Sequence, residues 1–158
     1  MLRKIDGNAL LVFLLLCFAA AAIGAFAVTT SVNTWYPQLE KPSFAPPNQV
    51  FGPVWTALYL MIAFSGWLLW RGRSDADIGL PLALYAVQLA LNAAWSVIFF
   101  GLRQPGFAAV EIILLFAAIA LYAAVSWKIS RPASLLMLPY LAWVGFASVL
   151  NIAIWILN

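Results

Sequence analysis

Long uncharged stretches separate the few charged positions of this chain, and those stretches predict its elements. Nothing between Asp6 and Glu40 is charged, and the chain is uncharged again from Pro42 to Trp70. Read this way, the chain holds five apolar runs, at about 8–28, 51–70, 80–100, 106–127 and 133–157, with 29–50 a polar, proline-bearing connection. A bilayer crossing needs roughly 20 consecutive apolar residues. A charge near the bilayer centre costs from about 2.5 to more than 10 kcal/mol, which is why the charges mark the ends. Barrel strands would instead alternate polar and apolar residues over about ten positions. The expected fold class is an all-α integral membrane protein, a five-transmembrane-helix bundle in one domain over residues 1–158.

Prolines refine the ends. Pro46 and Pro47 sit poorly inside a helix, so the second span is expected to begin near Phe51, placing Pro53 in its first turn. Pro81 marks the start of the third. In the first connection Pro37, Pro42, Pro46 and Pro47 restrict the backbone and favour a semi-rigid extended path, suited to a lid. A plain interfacial loop anchored by Trp35 and Tyr36 is the competing reading. The uneven connections show no internal repeat of the kind seen in two-repeat transporters.

The amino-terminal stretch also has the look of a secretory signal, with Arg3 and Lys4, an apolar run from Ala9 to Ile23, and Ala25-Phe26-Ala27 as a cleavage site. Its apolar run continues long enough to span, and we read it as a span. Arg3, Lys4, Arg71, Arg73, Lys128 and Arg131 then fall on one side, against Lys41 and Arg103 on the other. By the positive-inside rule the amino terminus is inside and the long connection outside. This holds for a bacterial inner or plasma membrane and says little about an outer membrane.

Composition narrows the chemistry. Hydrophobic residues make up 66% of the chain and charged residues 8%, where a soluble domain carries about 25%. The net charge of +3 is too small for a nucleic-acid footprint, so no nucleic-acid partner is expected. With no histidine, there is no ligand set for zinc or histidine-bound haem and no base for a Ser-His-Asp triad. No metal site and no required cofactor are expected. Cys17, between Leu16 and Phe18, reads as inert packing. Eight Trp and eleven Phe leave aromatic surface as the main chemical resource.

Several of those rings recur at helical spacing with polar groups. Trp55 and Tyr59 are four apart; Gln88, Asn92, Trp95 or Ser96, and Phe99 follow one stripe; Tyr140, Trp143, Ala147 and Asn151 follow another. Gln88, Asn92 and Asn151 need partners in hydrocarbon and should point into the bundle. Interhelical hydrogen bonding alone would account for the stripes. A cavity near the first connection, walled by indole and phenol rings, would also account for them and would suit a large, planar, mostly apolar guest. Counting along the fifth helix puts Tyr140 and Trp143 nearer its inner end, which leaves their cluster open. Glu111 is the only acid inside a span, either paired with a ligand or proton or placed there by the helix terminus. Small residues four apart, Ala20 and Gly24 on the first span and Ala86, Ala90 and Ala94 on the third, suit close helix contact within the bundle or in a dimer. Of the tryptophans, Trp35, Trp55, Trp95 and Trp143 read as pocket or lid, and Trp67, Trp70, Trp127 and Trp155 as interfacial anchors.

Trp35-Tyr36, Lys41-Pro42 and Pro46-Pro47, followed by Pro53-x-Trp55-x-x-x-Tyr59, resemble the translocator protein / tryptophan-rich sensory protein (TspO/MBR) family, as a bacterial-type member. Asn92-x-x-Trp95-Ser96-x-x-Phe99-Phe100 and Pro139-Tyr140-x-x-Trp143-x-x-Phe146-Ala147 are similar to its third- and fifth-helix signatures. The resemblance implies a five-helix bundle, often a homodimer, with a pocket beneath the first connection that binds porphyrins of the protoporphyrin IX type. The ligand-binding positions it implies are Tyr36, Trp55, Tyr59, Asn92, Trp95, Ser96, Trp143 and Ala147. It implies tetrapyrrole transport or sensing, with light-dependent porphyrin degradation as the alternative. For that photochemistry Trp55 and Trp143 are the candidates, since no conventional catalytic constellation is present. The cholesterol motif of animal members needs a Tyr and then a basic residue, which Leu150 to Leu157 lack, so sterol binding is not implied.

Overall fold

A computed structural model describes residues 7–158. It contains five long helices: α1 (Gly7–Thr29), α2 (Asn48–Arg71), α3 (Gly79–Ser96), α4 (Pro105–Ser126) and α5 (Arg131–Leu157). α3 runs directly into a π-helical segment, Val97–Gly101, and among the described residues there is no strand. With that segment counted in α3, the five run from 22 to 27 residues, long and apolar enough to cross a bilayer at 1.5 Å per residue. The expected all-α membrane fold is what the chain adopts.

α1 packs on α2 and α3, α2 also on α5, and α4 between α3 and α5, so the order around the bundle is α1, α2, α5, α4, α3. The centre is filled by tyrosines tied to neighbouring helices. Tyr85 donates to the Ile62 carbonyl at 3.2 Å, and its hydroxyl lies 3.3 Å from the Cys17 sulfur. Tyr122 meets Ser65 Oγ at 2.9 Å, and Ser65 donates to the Ala133 carbonyl at 2.8 Å. Cys17 is therefore a buried packing residue, as its neighbours implied. Gly66 permits the closest approach: a Cβ there would lie 2.6 Å from the Phe13 ring and 2.8 Å from that of Tyr85.

Helix ends depart from expectation in three places. α2 begins at Asn48, with Pro47 as its N-cap, instead of near Phe51. Pro47 restricts only its own φ and the residue before it, leaving Asn48 free to start the helix. Pro53 consequently lies inside α2 beyond the first turn, where its missing N–H removes the bond it would otherwise make to the Gln49 carbonyl. The first connection is not extended throughout. The Ser31 carbonyl accepts the N–H groups of Thr34, Trp35 and Tyr36 at 3.2, 3.0 and 2.9 Å, coiling the chain, and Tyr36–Gln38 forms a 3-10 turn around Pro37.

Of the small-residue stripes, Ala20 and Gly24 are buried, and a Cβ on Gly24 would stand 3.2 Å from Ser96 Oγ across the α1–α3 contact. Ala86 and Ala90 are exposed, so their stripe faces outward. Arg71, Arg73, Lys128 and Arg131 sit at one end of the bundle, Lys41 and Arg103 at the lid end. Arg3 and Lys4 lie outside the described residues.

Candidate ligand-binding site

One cavity of about 860 Å³ lies under the first connection. Residues from Leu14 to Val28 of α1 form one wall, and Phe51, Trp55 and Tyr59 of α2 the next. α3 supplies Asn92, Trp95 and Ser96, its π segment Phe99 and Phe100, α5 Trp143, Ala147 and Asn151, and Tyr36 the roof. All eight residues singled out in the sequence, Tyr36, Trp55, Tyr59, Asn92, Trp95, Ser96, Trp143 and Ala147, line this single space. Trp35 does not. It packs edge-on against Phe99 at 5.8 Å, behind the roof.

Amides hold the rings in place. Tyr59 donates to Asn92 Oδ1 at 2.5 Å, and Asn92 Nδ2 donates to the Tyr140 hydroxyl at 2.7 Å, joining α2, α3 and α5. Trp95 Nε1 donates to Asn151 Oδ1 at 2.9 Å, and Asn151 Nδ2 donates to the Pro105 carbonyl at 2.8 Å. Trp55 lies 5.7 Å from Tyr59 and 6.3 Å from Tyr140, while Trp143 lies 5.9 Å from Phe51. The doubt over depth on α5 is thereby resolved: Trp143 stands in the cavity wall and Tyr140 immediately behind it.

Trp143 Nε1 is buried and has no hydrogen-bond partner. A buried donor left unpaired costs about 1–3 kcal/mol. Among the described residues no carboxylate or imidazole lines the cavity, so its chemistry is stacking, shape and a few fixed amide and hydroxyl groups.

The roof is secured from several sides. Ser31 Oγ donates to the Phe100 carbonyl at 2.6 Å, and Arg103 Nε donates to Ser31 Oγ at 3.3 Å. Lys41 Nζ lies 4.6 Å from the Tyr36 ring centroid and donates to the Leu39 carbonyl at 3.2 Å. Burial pushes the Tyr36 phenol above its ordinary value, so it is neutral at physiological pH and meets Lys41 as a cation–π partner. At the far side, the Glu40 N–H donates to Asn158 Oδ1 and Asn158 Nδ2 donates to the Glu40 carbonyl, both at 3.0 Å. Between α1 and α2 the cavity is open: its lining there includes the exposed Leu15, Phe18 and Thr29 on one side and Gly52, Thr56 and Leu60 on the other.

Two buried polar residues stand apart. Glu111 is 8% exposed, neither carboxyl oxygen has a hydrogen-bond partner, and it does not line the cavity. Gln88 points into the bundle as expected but its amide is also unpartnered. Sequence reasoning missed the α1 wall and Phe51. α1 is apolar on every face, so no polar periodicity marks the side that meets the cavity.

A profile of the TspO/MBR family matches residues 13–156. The chain belongs to the TspO/MBR family. Among its relatives, "Tryptophan-rich protein TspO" of Archaeoglobus fulgidus is 43% identical over 145 residues, covering 92% of this chain and 94% of the relative. The human "Translocator protein" is 40% identical over 142 residues, 86% of this chain and 84% of its own. "Tryptophan-rich protein TspO" of Chlorobaculum tepidum is 40% identical over 144 residues, 90% and 91% respectively. The TspO/MBR match thus spans α2 to α4 entirely, all but the last residue of α5, and α1 from Phe13 onward.

Proposed function

We propose that this TspO/MBR chain binds porphyrins of the protoporphyrin IX type, and other large flat hydrophobic molecules, for tetrapyrrole transport or sensing. The observation that carries the reading is the 860 Å³ cavity, walled by the rings of Trp55, Tyr59, Trp95 and Trp143. That volume lies within the range of about 300–1,000 Å³ typical of small-molecule sites. Flat rings favour offset stacking or edge contact with a planar guest. Lys41 and Arg103, beside the roof, supply positive charge for the carboxylates of a tetrapyrrole rim. Held this way, the ring is bound by shape and stacking without histidine ligation. Homodimerisation, an amino terminus inside and a lid outside a bacterial inner membrane belong to the same proposal.

Light-dependent porphyrin degradation is the second reading, favoured by the contact of Trp55 with both Tyr59 and Tyr140, which sets oxidisable rings beside a guest. One titration separates the two. Purified chain titrated with protoporphyrin IX in the dark should give a saturable shift of the porphyrin absorption band. Trp55→Ala should weaken it at least about ten-fold, the scale of losing about 1.5 kcal/mol of aromatic contact. Unchanged affinity in Trp55→Ala and Trp143→Ala would remove the binding reading. Under illumination, faster bleaching of bound than of free porphyrin, slowed in Trp143→Phe, would favour degradation, and equal bleaching would exclude it.

A further inference from the structure

A second cleft, of about 340 Å³, lies between α4 and α5 at the end of the bundle remote from the lid. Its walls are apolar, with Ala124, Leu138 and Leu141 among them, and Trp127, Lys128 and Ser134 also line it. Trp127 and Leu138 are 45% and 48% exposed, so the cleft opens on the outer, bilayer-facing surface of the helices. Ser134 is 2% exposed, and its Oγ has no hydrogen-bond partner. The exposed Lys128 stands in the cleft wall, and the Arg131 guanidinium lies 5.7 Å from the centroid of the Trp127 ring. Among the described residues no acidic side chain lines the space.

An occupant must therefore be apolar over most of its length, arrive from the hydrocarbon layer, and end in a negative group with hydrogen-bond acceptors. A phospholipid meets all three conditions. We propose that this cleft holds one anionic phospholipid, an acyl chain along the alanine-lined trench, its phosphate between Lys128 and Arg131, and Ser134 Oγ donating to a headgroup or ester oxygen. Basic pockets between membrane helices select anionic headgroups in this way. A zwitterionic choline lipid carries the same phosphate, but its ammonium group is repelled by the two cations. Lys128 lines the cleft and Arg131 stands at its edge, over the ring of the lining Trp127, whereas Arg71 over Trp67 and Arg73 over Trp70 repeat the cation–indole pairing at the same end on rings that do not line it, which makes them internal controls.

The site is independent of the porphyrin reading and is tested without porphyrin. The full chain, in micelles containing equal phosphatidylglycerol and phosphatidylcholine, is released into a mass spectrometer under non-denaturing conditions and the retained lipid identified. One phosphatidylglycerol per chain is expected in preference to phosphatidylcholine. Lys128→Gln and Arg131→Gln should each lower its retention about five-fold, the scale of one basic residue near a membrane surface, and Arg73→Gln should leave it unchanged. Ala124→Leu, which fills the trench from an exposed position, should abolish retention while thermal stability is kept. Equal retention of both lipids, full retention in the Lys128→Gln/Arg131→Gln double variant, or the same loss in Arg73→Gln would each overturn the proposal.

Discussion

Asn92 shows what one polar residue does inside this bundle. Its amide accepts from Tyr59 and donates to Tyr140, so a single side chain from α3 fixes the ring of one cavity residue on α2 and the ring behind another on α5. Interhelical hydrogen bonds in membranes are worth about 0.6–2 kcal/mol each, and a leucine would leave the buried Tyr140 phenol and the half-buried Tyr59 phenol without this partner. Asn92→Leu is therefore expected to lower stability by about 1–3 kcal/mol in detergent thermal unfolding. Adding Tyr140→Phe, which removes one stranded hydroxyl, should recover part of it. A double variant no more stable than Asn92→Leu would break this account. Asn92 was legible in the sequence because an amide in hydrocarbon demands a partner and its stripe carried Trp95 and Phe99. Gln88 satisfied the same argument and yet has no partner, since periodicity gives the direction of a side chain but not what stands opposite. Gly66 gave no signal, because the Phe13 and Tyr85 rings that require it lie on other helices.

At the scale of elements, the five spans follow from charge alone because hydrocarbon penalises charge more than any local preference rewards it. Their ends depend on local hydrogen bonds and were less legible. The π segment shows why. The Leu102 N–H donates to the Val97 carbonyl at 2.8 Å, one residue further along than an α-helix allows, and Arg103 follows with a φ of 56°. The extra residue turns Phe99 and Phe100 toward the roof, where Phe99 stacks on Trp95 at 5.2 Å and the Phe100 carbonyl receives Ser31. Nothing in Val97-Ile98-Phe99-Phe100-Gly101 marks a π turn, because it forms for the contacts it makes with the connection. Deleting Ile98 should restore α-helical geometry and rotate these rings by about 100°. Helicity by circular dichroism should stay nearly constant, while a glutamate-specific protease cuts after Glu40 faster. Unchanged cleavage would mean that the segment does not hold the lid.

For the whole molecule, the placement of fastenings decides how a guest reaches the cavity. The lid is tied to the π segment through Ser31, to the α3–α4 turn through Arg103, and to the end of α5 through the paired bonds of Asn158 and Glu40. Opening it would break all of these together. The gap between α1 and α2 needs no such rupture, since the cavity lining there is already exposed and a Cβ at Gly52 would meet nothing within 4 Å. Access should then be lateral, from the bilayer, where a flat apolar ligand is already concentrated. Gly52→Trp would partly close this gap without touching the inner rings. It should slow association and dissociation of protoporphyrin IX by similar factors and leave the equilibrium affinity nearly unchanged, as expected for a change in the path and not in the bound state. Asn158→Ala, which loosens the lid, should leave the association rate as it was. Stopped-flow quenching of tryptophan emission measures both, and a faster rate in Asn158→Ala with none of the slowing in Gly52→Trp would place the route through the lid instead.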